Sequence, residues 1–142
     1  MESPHCSELL ATPVRTDADV LARVGAIIDA GNRALQALWL FFLDRDGMQS
    51  EVVVPIDCLP EPPDPQLVSG LCYVVSQVLS DTEPDGSAVI TLSRPGLADL
   101  GDMDRYWLSA LQQGAATHRL PIRMICLATP DGIRELGPVA VG

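Results

Sequence analysis

A chain of 142 residues with 47% hydrophobic content has the length and apolar mass for one compact core, which excludes global disorder. Nineteen acidic residues against nine arginines and no lysine give a formal net charge of −10. That balance excludes Schiff-base lysines and lysine-based phosphate loops, and a polyanion gains nothing from counterion release on nucleic acid.

The nine arginines are scattered along the sequence, so no basic patch announces itself. Cys6, Cys58, Cys72 and Cys126 show no C-x-x-C pairing. They read as reduced thiols, with Cys72 and Cys126 inside apolar runs. His5-Cys6 has too few neighbouring donors for a terminal metal clip. The N-terminus lacks a basic flank and an apolar h-region, and no apolar run reaches membrane-spanning length. The expectation is a cytoplasmic protein with no membrane partner.

In chain order, residues 1–15 read as a tail, and 16–142 as a single domain. Thr16 is an N-cap with Asp19 three residues on, an Asp version of the capping box. Val20, Leu21, Val24, Ile27 and Ile28 then recur at helical spacing, and Gly31 is the expected C′ stop. Leu38–Leu43 is a continuous apolar run, expected as a buried strand. Asp44-Arg45-Asp46-Gly47 carries hairpin-turn chemistry, and Ser50–Ile56 returns as the second strand. Cys58–Pro65 holds four prolines and two acidic residues and reads as a connector. Asp64 as N-cap and Pro65 at the first helical position open a second helix. Its apolar face is expected to run through Leu67, Val68, Leu71, Val74, Val75, Val78 and Leu79.

Asp81–Gly86 is a turn and Ala88–Leu92 the third strand. Asp102 or a neighbour caps a third helix from about Met103 to Gln113. Pro121 precedes a strand over Ile122–Ala128, and Thr129-Pro130-Asp131-Gly132 turns into a short strand over Ile133–Leu136. The order α-β-β-α-β-α-β-β implies an α/β class: one layered domain with a mixed β-sheet flanked by helices.

This order and three local strings resemble the RadC-like branch of the JAMM (MPN) metalloprotease-like domains, whose order is also cytidine-deaminase-like. LFFLDRDGMQSEVVVP looks like the family's hairpin, TLSRPGLADLGDMD like its zinc-site loop, and LPIRMICLATPDGIREL like its closing strand-turn-strand. The resemblance covers roughly Trp39–Leu136. By it, Glu51 stands near the general-base glutamate, Pro95 matches the motif, and Asp104 lies close to the zinc-binding aspartate. The two histidine positions fall on Leu92 and Arg94. A catalytic zinc needs three protein ligands and an open position for water. With two ligands replaced, one by a cation, the resemblance implies a catalytically inactive member with no metal and no cofactor, because no activated water forms.

The remaining candidates are binding residues: Ser93, Arg94, Asp99, Asp102, Asp104 and Glu51. Arg94 beside a helix N-terminus suits either an anion or an ion pair with Asp99, Asp102 or Asp104. Asp99, Asp102 and Asp104 form D-x-x-D-x-D, a divalent-cation pattern without the EF-hand glycine and glutamate; helix capping explains them more simply. Glu51 alternates with valines and reads as a solvent-face residue. Ser93 has no G-x-S-x-G elbow, and His118 reads as a helix-end residue. The expected function is a protein-interaction or small-ligand binding module with a protein partner and scope for a homodimer. The alternatives are a metal-dependent hydrolase with a rebuilt acidic site and a DNA-repair accessory; the charge balance disfavours nucleic acid.

Overall fold

Strand β1 (Ala37–Leu43, ALWLFFL) has no polar alternation, so neither of its faces can meet water without cost. Strands β3 (Ser87–Ser93) and β4 (Ile122–Thr129) are likewise almost wholly buried. Three such strands side by side require helices on both faces of the sheet, and the computed structural model has that arrangement. It describes residues 12–137 apart from 30, 58, 60–62 and 98; the side chain of Glu51 also lies outside the described residues.

The sheet has five strands in the order β2-β1-β3-β4-β5, where β2 is Gln49–Asp57 and β5 is Gly132–Gly137. The β3–β4 pair is parallel and the other pairs antiparallel. Helix α1 (Asp17–Ile27) covers one face. Helices α2 (Pro65–Thr82) and α3 (Asp102–His118) lie together on the other. Leu38, Leu40 and Phe42 of β1 point toward α2 and α3, with Ile90, Leu92, Ile125 and Leu127 from the neighbouring strands. Phe41, Leu43, Val89, Met124 and Cys126 point the other way, against Val20, Val24 and Ile28 of α1 and its flank. The mixed α/β sheet and the element order are those the sequence implies.

The helix caps form as expected at two sites. Thr16 accepts from the Asp19 N–H (3.0 Å) while the Asp19 carboxylate accepts from the Thr16 N–H (3.1 Å). Asp64 accepts from the Gln66 N–H (2.9 Å), with Pro65 opening α2. Four expectations need correction. Residues 12–15 are not a loose tail: Val14 is buried and its N–H donates to the Gly47 carbonyl, and Arg23 donates to the Thr12 carbonyl. Gly31 does not stop α1, whose C-cap is Ile28. Arg33 instead takes the carbonyls of Ile28 and Gly25, as a cation at a helix C-terminus does. Val74 is 44% exposed rather than core, its place in the packed face of α2 being taken by Cys72. Helix α3 runs five residues beyond Gln113 and ends at Arg119, whose positive φ closes it.

Edge strand β2 contains Pro55, opposite Trp39. A residue without an N–H is tolerated at a sheet edge and discourages pairing with a further strand.

Helices α2 and α3 approach each other closely at Gly114, where an added Cβ would lie 2.7 Å from Cys72 Sγ and 3.1 Å from Val68 Cγ1. Gly70 on α2 has nothing within 4 Å of such a position. Both substitutions to alanine gain about 1 kcal/mol of helix propensity, but overpacking costs about 1–3 kcal/mol. Gly70→Ala should therefore stabilise the fold by roughly 0.5–1 kcal/mol and Gly114→Ala destabilise it by about 1 kcal/mol, read as urea midpoints at unchanged m-value.

Candidate functional site

The loop from Arg94 to Gly101 leaves the C-terminal end of β3 and enters α3. This is the crevice where open α/β sheets place their ligands. It is organised around one side chain. Arg94 Nε donates to Asp104 Oδ1 and Nη2 to Asp104 Oδ2, both at 2.7 Å, a bidentate fork. Nη2 also donates to the Asp99 carbonyl (2.8 Å), and Nη1 to the carbonyls of Pro95 (3.0 Å) and Leu97 (2.9 Å). A guanidinium has five N–H donors, and all five are used. The Arg94 backbone N–H adds a bond to the Ala128 carbonyl of β4, tying the loop's root to the sheet.

Asp104 is only 2% exposed and serves two structures at once. Besides holding Arg94, its Oδ2 accepts from the Gly101 N–H (2.9 Å) and so caps α3. The cap is thus Asp104 reaching back, not the side chain of Asp102. Burial alone pushes the Asp104 carboxyl up. The Arg94 and Gly101 N–H bonds outweigh it, and the carboxyl titrates below its ordinary value. The bond to Asp104 in turn raises Arg94 against its partial burial and keeps it charged.

The other candidates are not drawn into this cluster. Ser93 is fully buried, so it is not a surface residue: its hydroxyl donates to the Leu35 carbonyl (2.6 Å) and accepts from Trp39 Nε1 (2.9 Å). It bolts the end of β3 to the lead-in of β1. Asp99 contributes its carbonyl to Arg94 while its side chain is exposed. Asp102 is exposed, 3.8 Å from Arg105. Glu51 falls within β2, but its side chain lies outside the described residues. Among the described residues, no three His, Cys, Asp or Glu side chains converge to hold a metal ion. Leu92, at the first expected histidine position, is buried in the core. Burial also raises the thiols of Cys72 and, to about 12, Cys126, so neither supplies a thiolate nucleophile. Among the described residues no helix is long and apolar enough to cross a membrane.

With Arg94 and Asp104 satisfied by each other and by the loop backbone, the loop presents an apolar side chain beside the exposed carboxylates of Asp99 and Asp102. Leu97 is 67% exposed beside an open depression of about 450 Å³ bordered by Arg94, Asp99, Asp102 and Met103. Leu97 is a lone leucine between glycine and alanine and has no periodic signal that would single it out in the sequence.

A second depression, about 440 Å³, lies at the opposite end of the sheet, where β1 ends and β3 and β4 begin. Arg15, Arg45 and Arg123 line it together with Ser87. These arginines lie far apart in sequence, which is why no basic cluster is visible there. Arg123 pairs with Asp17 at 2.8 Å, whereas Arg15 and Arg45 form no ion pair with a described residue. Asp44, on the same rim, uses its carboxylate to fix the hairpin through the N–H groups of Asp46 and Met48.

The chain matches no protein-family model, no curated protein and no solved structure.

Removing one partner of a fully buried ion pair costs about 3–5 kcal/mol. Arg94 is 21% exposed, so Asp104→Asn should cost less, about 2–3 kcal/mol at pH 7. A carboxyl whose folded value lies below its unfolded value stabilises above the latter and loses that contribution as pH falls through the former. The stability gap between the parent and Asp104→Asn, measured by chemical denaturation, should accordingly close on acidification below about pH 4.

Proposed function

We propose that this domain works by binding rather than catalysis, as an inactive JAMM/RadC-like module of the cytoplasm whose loop Arg94–Asp104 engages a protein partner. One observation carries the reading: every donor of Arg94 and both oxygens of Asp104 are committed within the loop. A catalytic or cation-binding cluster needs at least one unspent charged group directed at its ligand. Here Arg94 and Asp104 brace the backbone, Asp99 and Asp102 extend their carboxylates into solvent without a third acidic, His or Cys partner among the described residues, and Leu97 stands exposed on the same braced loop. Exposed apolar anchors on rigid supports are what protein interfaces use. The element order supports the family reading, and Leu92 and Arg94 at the two histidine positions support inactivity.

A second reading, small-ligand binding, is favoured by the arginine-lined depression. Three of the nine arginines of a −10 chain border one cavity, outnumbering Asp44 and Asp46 on the same lining, and Ser87 adds a hydroxyl. That donor set suits a carboxylate or phosphate group. Duplex or branched DNA is not expected to bind, because the rest of the surface repels it.

Three measurements test these readings. Protein grown with added zinc and manganese should contain far less than one ion per chain; stoichiometric metal removable by chelator would overturn the non-catalytic reading. A photo-crosslinking amino acid at position 97 should give a discrete adduct in cells that the same probe at the exposed Ala18 of α1 does not give; identical patterns would refute the loop as the contact surface. Inorganic pyrophosphate should bind in calorimetry, with affinity falling roughly ten-fold in Arg45→Ala and Arg123→Ala; no heat at millimolar ligand would discard the anion site.

A further inference from the structure

The helix layer formed by α2 and α3 carries no charge along most of its length. Pro65–Ser80 of α2 is sixteen residues and Tyr106–Thr117 of α3 is twelve, and none is Asp, Glu, Lys or Arg. At the chain's overall 20% charged content, roughly six of these residues would carry charge, and solvent faces of helices are ordinarily richer still. The outward positions instead hold Ser69, Tyr73, Val74, Gln77, Tyr106 and Ser109. Tyr73 is 61% exposed and Tyr106 56%, so two aromatic side chains stand in water on this face. Every one of the 28 charged residues lies elsewhere on the chain.

We infer that this charge-free face of α2 and α3 is a self-association surface on which a second copy of the chain docks. Charge selects the occupant. Two bodies of net charge −10 repel across any contact that brings their acidic surfaces together, and this face is where they can meet without doing so. A basic partner would instead be drawn to the acidic surfaces. Size agrees with the choice. Sixteen helical residues extend about 24 Å, and two helices packed about 8–10 Å apart present a face about 20 Å wide. The footprint is on the order of 500 Å², and its corrugated accessible area reaches the lower end of a standard interface, about 600–800 Å² per partner. Tyrosine, with a large contact area and few rotatable bonds, is a preferred residue at such contacts. An isologous pairing puts the same uncharged face on both sides, which is the commonest symmetry of homodimers.

This surface is distinct from the Arg94–Asp104 loop, so its test is independent of the binding role proposed for that loop. Sedimentation velocity of the full chain from 1 to 200 µM should show a monomer–dimer equilibrium in the micromolar range that tightens between 50 and 500 mM salt, as screening removes the net repulsion of two −10 bodies. Ser69→Glu, Gln77→Glu and Ser109→Glu each place a carboxylate at an exposed position of this face, where folding is unaffected; the thermal midpoint verifies it. Each should weaken the dimer at least ten-fold, with partial recovery at high salt. Ala18→Glu on α1 adds the same charge to the opposite side of the sheet and should leave the dimer constant within two-fold. A chain that stays monomeric at 200 µM overturns the inference, as do a dimer insensitive to the three helix substitutions and one weakened equally by Ala18→Glu.

Discussion

Burial of β1, β3 and β4 on both faces is the constraint from which the rest of the structure follows. Such strands gain their stability only if apolar layers meet them on each side, each fully buried Leu, Ile or Phe contributing about 1.5–3 kcal/mol. One helix is enough on the side of Phe41, Val89 and Met124, where α1 and the docked segment around Val14 complete the layer. The side of Leu38, Ile90 and Ile125 is broader and takes α2 and α3, which lock together where Gly114 meets Cys72 and Val68. The less apolar strands β2 and β5 are left to the sheet edges, and Pro55 is accommodated in one of them.

The same topology decides where loop chemistry sits. The parallel β3–β4 pair requires a crossover helix, so the chain leaves β3 at its C-terminal end and must turn sharply into α3. Arg94 and Asp104 make that turn. A cation at the strand end and an anion in the first helical turn would each be costly to bury alone. Paired bidentately, and with the remaining donors given to three loop carbonyls, they become the frame on which the loop is built. A group used in this way is no longer available to a ligand. The loop's outward chemistry therefore belongs to Leu97 and the exposed carboxylates of Asp99 and Asp102, and not to Arg94 or Asp104.

Charge is distributed unevenly over the folded surface. The outer face of α2 and α3 is neutral, Arg94 and Asp104 cancel within the loop while Asp99 and Asp102 leave it acidic, and three arginines gather at the far end of the sheet. A net charge of −10 makes electrically neutral surface a better place than acidic surface for contact with another acidic protein.

Much of the fold was legible from residue order. The two-sided apolar runs, the Asp-Gly hairpin, the Thr16–Asp19 box and the Asp64-Pro65 helix start each act over a few residues, so their physical cause lies within the sequence window that displays them. The end of α1 was not legible, because it depends on Arg33 folding back onto carbonyls five and eight residues earlier. Nor was the docking of residues 12–15, which requires the hairpin at Gly47 to be present as a partner. At the loop, the sequence by itself determined that no histidine is present and that Arg94 and acidic residues stand near one another. Only the tertiary structure decided which acid Arg94 takes, that its last donors go to backbone carbonyls, that Ser93 is buried, and that Arg15, Arg45 and Arg123 converge. The physical reason is common to all four: they depend on distances and burial created by sheet assembly, and those have no counterpart in spacing along the chain.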